Sequence, residues 1–269
     1  MNHGERNELL IKIFLTVIKK NKDVSTIFGE IKNLGFGDEE YKTLDYEIDF
    51  KNLISKNEIN KIDTKKKKKE CEKKIKLIAG EMGITKAPPL SKADIYINKK
   101  GYSIKYLNAG RPSIVNHTSR LYWLRIAKVL GEDISKLDKI VANYWNLRLS
   151  GKIFEDCGNK HPLSPFKDHK KILKPYLQYF CFTGTGTGDS KYKAEDVLVF
   201  KNFDDPDSWV LHSKSKTIDE IWDGLYFCMR GGRGMDRYKD PNFKKIIEPW
   251  TRFTDNKYRG AISVRYDSK

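Results

Sequence analysis

The stretch DIYINKKGYSIKY (94–106) constrains this chain more than any other segment. Apolar and polar residues alternate on either side of a short turn sequence, the pattern of two half-buried antiparallel strands. DIYI (94–97) reads as one strand and YSIKY (102–106) as the next, joined by NKKG, with Gly101 suited to the backbone of a tight turn. Placing Ile97 opposite Tyr102 sets Tyr96 against Ser103 and Asp94 against Lys105. Side chains alternate along a strand, so Asp94, Tyr96, Ser103 and Lys105 share one face, and Ile95, Ile97 and Ile104 point into a core. Directly opposed residues have Cβ atoms roughly 4.5–5.5 Å apart, which makes Asp94 and Lys105 expected neighbours.

Such a pair has two readings. One is a cross-strand ion pair, worth about 0.2–1 kcal/mol. The other is metal-assisted phosphodiester hydrolysis. In that chemistry a carboxylate holds Mg²⁺, which prefers oxygen ligands and keeps several waters. The metal acidifies a water and offsets charge in the transition state. A lysine orients the water or neutralises the phosphate. Backbone carbonyls also ligate hard cations, so the Ile104 carbonyl is a candidate second ligand.

Asp94 followed by Ser103-Ile104-Lys105 resembles the PD-(D/E)xK nuclease motif, in which an acid on one strand precedes acid-x-Lys on the next. SIK followed by GRPSIVNHTSR and a helix is similar to type II restriction endonucleases, over residues 81–120. The chain departs from the motif twice. Ala93 stands where a proline is usual, and Ser103 replaces the second acid. Some members of the class take a further acid from a nearby helix, and Glu81 fits that role better than Glu132. The resemblance implies an α/β (α+β) fold with a mixed central sheet flanked by helices. It also implies a Mg²⁺-dependent, sequence-specific endonuclease for double-stranded DNA, in the cytoplasm of a prokaryote. The implied site is Asp94, Glu81 and the Ile104 carbonyl on the metal, with Lys105 and Ser103 on water or phosphate. A palindromic target would require a homodimer, because protein symmetry mirrors that of the DNA.

The net charge of +16 favours an anionic partner such as nucleic acid. After the hairpin, Arg111, Asn116, His117, Ser119 and Arg120 crowd before the aromatic helix LYWLRI, where they could grip phosphates or simply cap the helix. RGGRGMDR (230–237) carries Arg230, Arg233 and Arg237 among glycines, and arginine reads guanine bidentately. GTGTGDSKYK (184–193) offers Thr185, Thr187 and Lys191 to phosphates or base edges and lacks the GK[ST] ending of a P-loop. A flexible basic loop is the alternative for the first segment, and a plain mobile loop reads equally well for the second. His161 and His169 lack metal-ligand spacing and read as structural or surface histidines.

Residues 5–20 read as an amphipathic helix with Leu10, Phe14, Val17 and Ile18 on one face. Helical structure is expected to continue to about residue 62 as an N-terminal region, ahead of a nuclease core over 63–269. A second helix begins near Asp63 or Thr64 and ends near Gly83, with a buried stripe of Cys71, Ile75, Ile78 and Met82. Residues 61–76 hold nine lysines and three acids, a solvated face or a phosphate-facing one. Residues 114–130 and 134–149 read as helices, and VLVF, WVLH, LYFCMR and AISVR as strands. No apolar run approaches the ~20 residues of a membrane span, and no signal-peptide cleavage site follows LLIKIFLTVIKK. Four dispersed cysteines suggest neither zinc nor disulfides, which suits a reducing compartment. Two rival functions are a non-catalytic nucleic-acid-binding protein and a structure-specific repair or recombination nuclease. A methyltransferase is disfavoured, since no glycine-rich cofactor loop follows a strand and no N-P-P-Y motif occurs.

Overall fold

The computed structural model describes residues 3–18, 24–37, 39–42, 44, 48, 50, 65–107, 110–231 and 235–267. The chain divides into two compact units, residues 1–109 with 192–213, and residues 110–191 with 214–269. Both mix helices with strands. This division does not follow the boundary expected at residue 62, because the N-terminal helix belongs to the same unit as the hairpin. Among the described residues no helix is long and apolar enough to cross a membrane.

The first unit opens with helices α1 (His3–Ile18) and α2 (Ser25–Phe28), then strands β1 (Leu34–Phe36) and β2 (Glu39–Glu40). These strands lie where helix was expected. Helix α3 (Lys65–Glu81) precedes the hairpin strands β3 (Ile95–Ile97) and β4 (Lys100–Tyr106), and the unit is completed by β9 (Asp196–Phe200) and β10 (Trp209–Ser213). The sheet order is β10-β9-β4-β3-β1-β2. Only β4 and β9 run parallel, from Tyr102 opposite Asp196 to Tyr106 opposite Phe200, so the sheet is mixed. Every residue of β9 is buried, as its apolar run VLVF predicts for a central strand. Helix α1 packs on α3 and across β4.

Helix α1 is not amphipathic in the expected sense. Leu10, Ile11, Lys12, Ile13 and Leu15 are all fully buried, so its middle is enclosed on nearly every side. The α3 stripe is as expected, with Ile75, Ile78 and Met82 buried and Cys71 half-buried. The proposed caps Asp63 and Thr64 and the side chain of Ile18 lie outside the described residues.

The hairpin forms in a register two residues from the expected one. Ile95 pairs with Tyr102, Tyr96 with Gly101 and Ile97 with Lys100. The turn is therefore the two-residue Asn98–Lys99, with φ of 50° and 67°, a left-handed pair that matches the strand twist. The Asn98 side chain locks it by accepting from the Lys32 and Asn33 N–H groups and donating to the Glu30 carbonyl. Gly101 consequently lies inside β4, where an added Cβ would sit 2.5 Å from the Lys193 carbonyl oxygen and 3.1 Å from the Ala93 Cβ.

The second unit is built on the antiparallel sheet β5-β14-β11-β6. Its strands are β5 (Ser113–Ser119), β6 (Cys157–Gly158), β11 (Leu225–Arg230) and β14 (Ala261–Tyr266), with small hairpins β7 (Gly184–Thr185) and β8 (Gly188–Asp189), and β12 (Arg252–Thr254) and β13 (Lys257–Arg259). Its helices are α4 (Arg120–Leu130), α5 (Ile134–Leu149), α6 (Lys170–Gln178), α7 (Thr217–Ile221) and α8 (Pro241–Ile247). Residues 114–119 are strand rather than the expected helix. Ile114, Val115 and Thr118 are stiff β-branched residues, and β14 supplies the partner that decides for strand. Helix α4 ends at Gly131 in a left-handed cap, and Asp133 caps α5 by accepting from the Ser135 N–H at 2.9 Å. Trp123 is fully buried among the rings of Tyr176, Phe180 and Trp250.

Gly101→Ala is expected to destabilise the protein by about 1–3 kcal/mol, because the atom it would meet first is a backbone carbonyl. Urea denaturation measures this, and an unchanged midpoint would show that the 192–194 segment can give way.

Candidate active site

Glu8 and Lys12 lie one helical turn apart on α1 and so share a face. The Lys12 side chain has no exposed surface, and a buried ammonium persists only when paired. Its Nζ donates to Glu8 Oε1 at 2.7 Å and to the Thr85 carbonyl at 3.4 Å. The Glu8 side chain is 18% exposed, and it lines a cleft of about 420 Å³ with Glu5, Lys76 and Lys86. Because α1 crosses β4, this pair arrives beside the strand that carries Ser103, Ile104 and Lys105.

Burial pushes the Glu8 carboxyl above its ordinary value of 4.5. The neighbouring Asp94 carboxylate pushes it the same way, whereas Lys12 and Lys105 pull it down. Two carboxylates and two ammonium groups therefore act on one another within a single site. Asp94 Oδ2 accepts from the Ile104 N–H at 2.6 Å and from the Ser103 hydroxyl at 3.3 Å. In the observed register, Ser103 rather than Lys105 meets Asp94. The Asp94 N–H reaches the Tyr102 carbonyl at 2.8 Å, which carries the ladder one residue beyond β3. An extended residue directs its N–H and C=O to the same side, so the Ile104 carbonyl faces the side on which Asp94 lies. Lys105 stands two residues after Ser103 and shares its strand face.

Tyr41 completes the cluster. It is 6% exposed, and its hydroxyl has no hydrogen-bond partner among the described residues. Burial raises its pKa well above the ordinary 10, and Glu8, Glu39 and Asp94 raise it further. The phenol therefore stays protonated and remains a donor beside the carboxylates. Among the described residues no group of three or more His, Cys, Asp or Glu side chains is arranged to hold a metal ion.

The other expected residues are dispersed. Glu81 is exposed at the end of α3. In the second unit Ser119 is fully buried, and its hydroxyl makes no helix cap. Arg120 forms two 2.7 Å bonds to Asp138 and one to the Ile246 carbonyl. Arg111 pairs with Asp267 at 2.9 Å and lies over the Tyr226 ring. Arg230 is held by Glu155 and Asp156. Asn116 accepts from the Ser113 hydroxyl, and His117 Nδ1 lies 3.1 Å from the Gly231 carbonyl. Thr185 and Thr187 bond each other at 2.7 Å beside a tight turn, and Lys191 is exposed. Arg233 and the side chain of Arg237 lie outside the described residues. Sequence reasoning missed Glu8, Lys12 and Tyr41. A lysine inside LLIKIFL, four residues after a glutamate, was the available signal for the first two.

Removing Lys12 strands a mostly buried carboxylate, so Lys12→Met is expected to cost about 3 kcal/mol in urea denaturation. The pH dependence has a definite sign. A carboxyl whose folded pKa is raised contributes stability that is complete below about 4.5 and is lost as pH rises through the folded value. Relative to Glu8→Gln, the unaltered protein should therefore lose melting temperature as pH rises from 4.5 toward 7. A flat difference would remove Glu8 from this buried, coupled environment. Comparison of the chain with protein-family models, with curated proteins and with solved structures returned no match.

Proposed function

We propose that this chain is a Mg²⁺-dependent endonuclease of the PD-(D/E)xK type that hydrolyses phosphodiester bonds of double-stranded DNA at a specific sequence. The observation that carries the reading is Asp94, oriented by the Ser103 hydroxyl and the Ile104 N–H, on the hairpin against which α1 packs with its Glu8–Lys12 pair. Glu8, rather than Glu81, stands in for the acid that Ser103 replaces. Mg²⁺ uses one or two carboxylates and keeps several waters, so Asp94, Glu8 and the Ile104 carbonyl suit it without a three-carboxylate cage. The chemistry such an ion supplies is Lewis acidity toward a phosphoryl oxygen.

The chain's own residues have separable tasks. Ser103 and the Ile104 N–H fix the orientation of Asp94 by occupying one of its oxygens. Lys105 neutralises phosphate charge and orients the attacking water. Lys12 donates to Glu8 and opposes the upward push of burial on its carboxyl. The Tyr41 hydroxyl stays protonated and is a buried donor without a partner among the described residues. A palindromic target would be cut by a two-fold homodimer.

Plasmid DNA with Mg²⁺ should give discrete fragments. Asp94→Asn, Glu8→Gln and Lys105→Ala should each slow cleavage about 10²-fold or more. Mg²⁺ should also raise the melting temperature of the protein, and Asp94→Asn should abolish that shift. Cleavage by Lys105→Ala at the unaltered rate would refute the assignment. Salt-sensitive binding with no cleavage in Mg²⁺ or Mn²⁺ would select a non-catalytic nucleic-acid binder. Preferential cutting of branched over linear substrates would select a structure-specific nuclease.

A further inference from the structure

The β12–β13 hairpin of the second unit exposes aromatic rings that no packing requirement explains. Its turn is the two-residue Asp255–Asn256, with φ of 50° and 59°, and Phe253 stands directly opposite Tyr258. Phe253 is 61% exposed and Tyr258 43%. The Phe253 ring meets Tyr258 edge-on at 5.0 Å, and Tyr258 stacks on Tyr238 at 4.3 Å. Tyr258 is thus backed by a second ring, whereas Phe253 projects outward from a supported platform.

Both signs of charge lie around this platform, with the exposed acids Asp240 and Glu248 at the two ends of α8 and a lysine beside the rings. Lys244 lies 5.2 Å from the centroid of Tyr238. Lys244 is exposed and forms no ion pair among the described residues, whereas Lys257 pairs with Thr254 and so starts from the hairpin face opposite Phe253. The acid at the tip, Asp255, is compensated by Arg259 at 3.0 Å and Arg148 at 3.6 Å. The hairpin also adjoins the glycine–arginine segment. The Gly260 N–H bonds the Arg230 carbonyl at 3.1 Å, and a Cβ on Gly231 would lie 3.3 Å from the Tyr258 carbonyl oxygen. An exposed ring with an unpaired lysine beside it matches the two faces of a nucleotide, an apolar base and an anionic phosphate.

We infer that this hairpin is a nucleic-acid contact, in which Phe253 stacks on an unpaired or unstacked base and Lys244 takes a flanking phosphate. The contact assigns a binding surface to the second unit and is independent of the carboxylate site of the first. It acts through base faces, so it tolerates sequence and favours strands whose bases can leave the stack.

The test uses the full chain with divalent metal chelated, so that its outcome does not depend on cleavage. A single-stranded oligonucleotide carrying 5-iodouracil is photocrosslinked and the adducts are mapped by mass spectrometry. Affinity is measured by fluorescence anisotropy. Adducts on Phe253 or Tyr258 are expected. Phe253→Ala should weaken single-strand binding about ten-fold, and Phe253→Trp should restore it. Lys244→Ala should lower the salt slope by about one. Two outcomes overturn the inference. One is adducts confined to other peptides with Phe253→Ala affinity unchanged. The other is a dimer in sedimentation that Phe253→Ala converts to monomer without altering nucleic-acid affinity, which would mean a second copy covers the platform. Adduct mapping on the unaltered chain decides the matter even if a variant folds poorly.

Discussion

A lysine with no exposed surface is the constraint on which the first unit turns. Taking an ammonium out of water costs several kcal/mol unless an acid and further acceptors surround it. Lys12 obtains them from Glu8, one turn earlier on its own helix, and from the Thr85 carbonyl. The pair fixes which face of α1 meets β4, and so brings a carboxylate to the strand that bears Lys105. In a site largely shielded from water, charges act on one another more strongly than they would at a surface. The raised Glu8 pKa expresses that balance: burial and Asp94 oppose ionisation, and two ammonium groups favour it.

The two units use charge differently. In the first, acids and bases converge on one place and leave a buried donor, Tyr41, without a partner among the described residues. In the second, the described arginines mostly support structure. Arg120 ties α4 to Asp138 on α5, and Arg148, Arg230 and Arg259 share Glu155. An arginine whose fork is occupied by carboxylates does not read a base. The exposed lysine Lys244 lies instead beside rings that have remained exposed.

The hairpin shows how much of a site can be read despite a wrong register. A slip of two residues moves a pairing partner by one full side-chain period, so the residues that share a face are preserved. Lys105 and Ser103 therefore occupy the expected face, although Ser103 rather than Lys105 meets Asp94. The slip arose because Gly101 invites placement in the turn. Asn98 and Lys99 occupy the turn instead, because three hydrogen bonds from the Asn98 side chain secure it and the Lys193 carbonyl demands a glycine within the strand.

Alternation and β-branched content alone determined the strands at 95–106, 196–200 and 209–213. Capping and periodicity alone determined the helix over 134–149 and the buried stripe of the lysine-rich helix. These signals are local, since each depends on residues within a few positions of one another. Only the tertiary structure decided that 113–119 is a strand, that the first helix is enclosed rather than amphipathic, and that Asp94 acts on Glu8. Each of those outcomes depends on a partner distant in the chain, such as β14 for β5 or β4 for α1. Spacing along a sequence carries no record of which distant surface will cover a residue, and burial by that surface is what turns an ordinary glutamate–lysine pair into a coupled site.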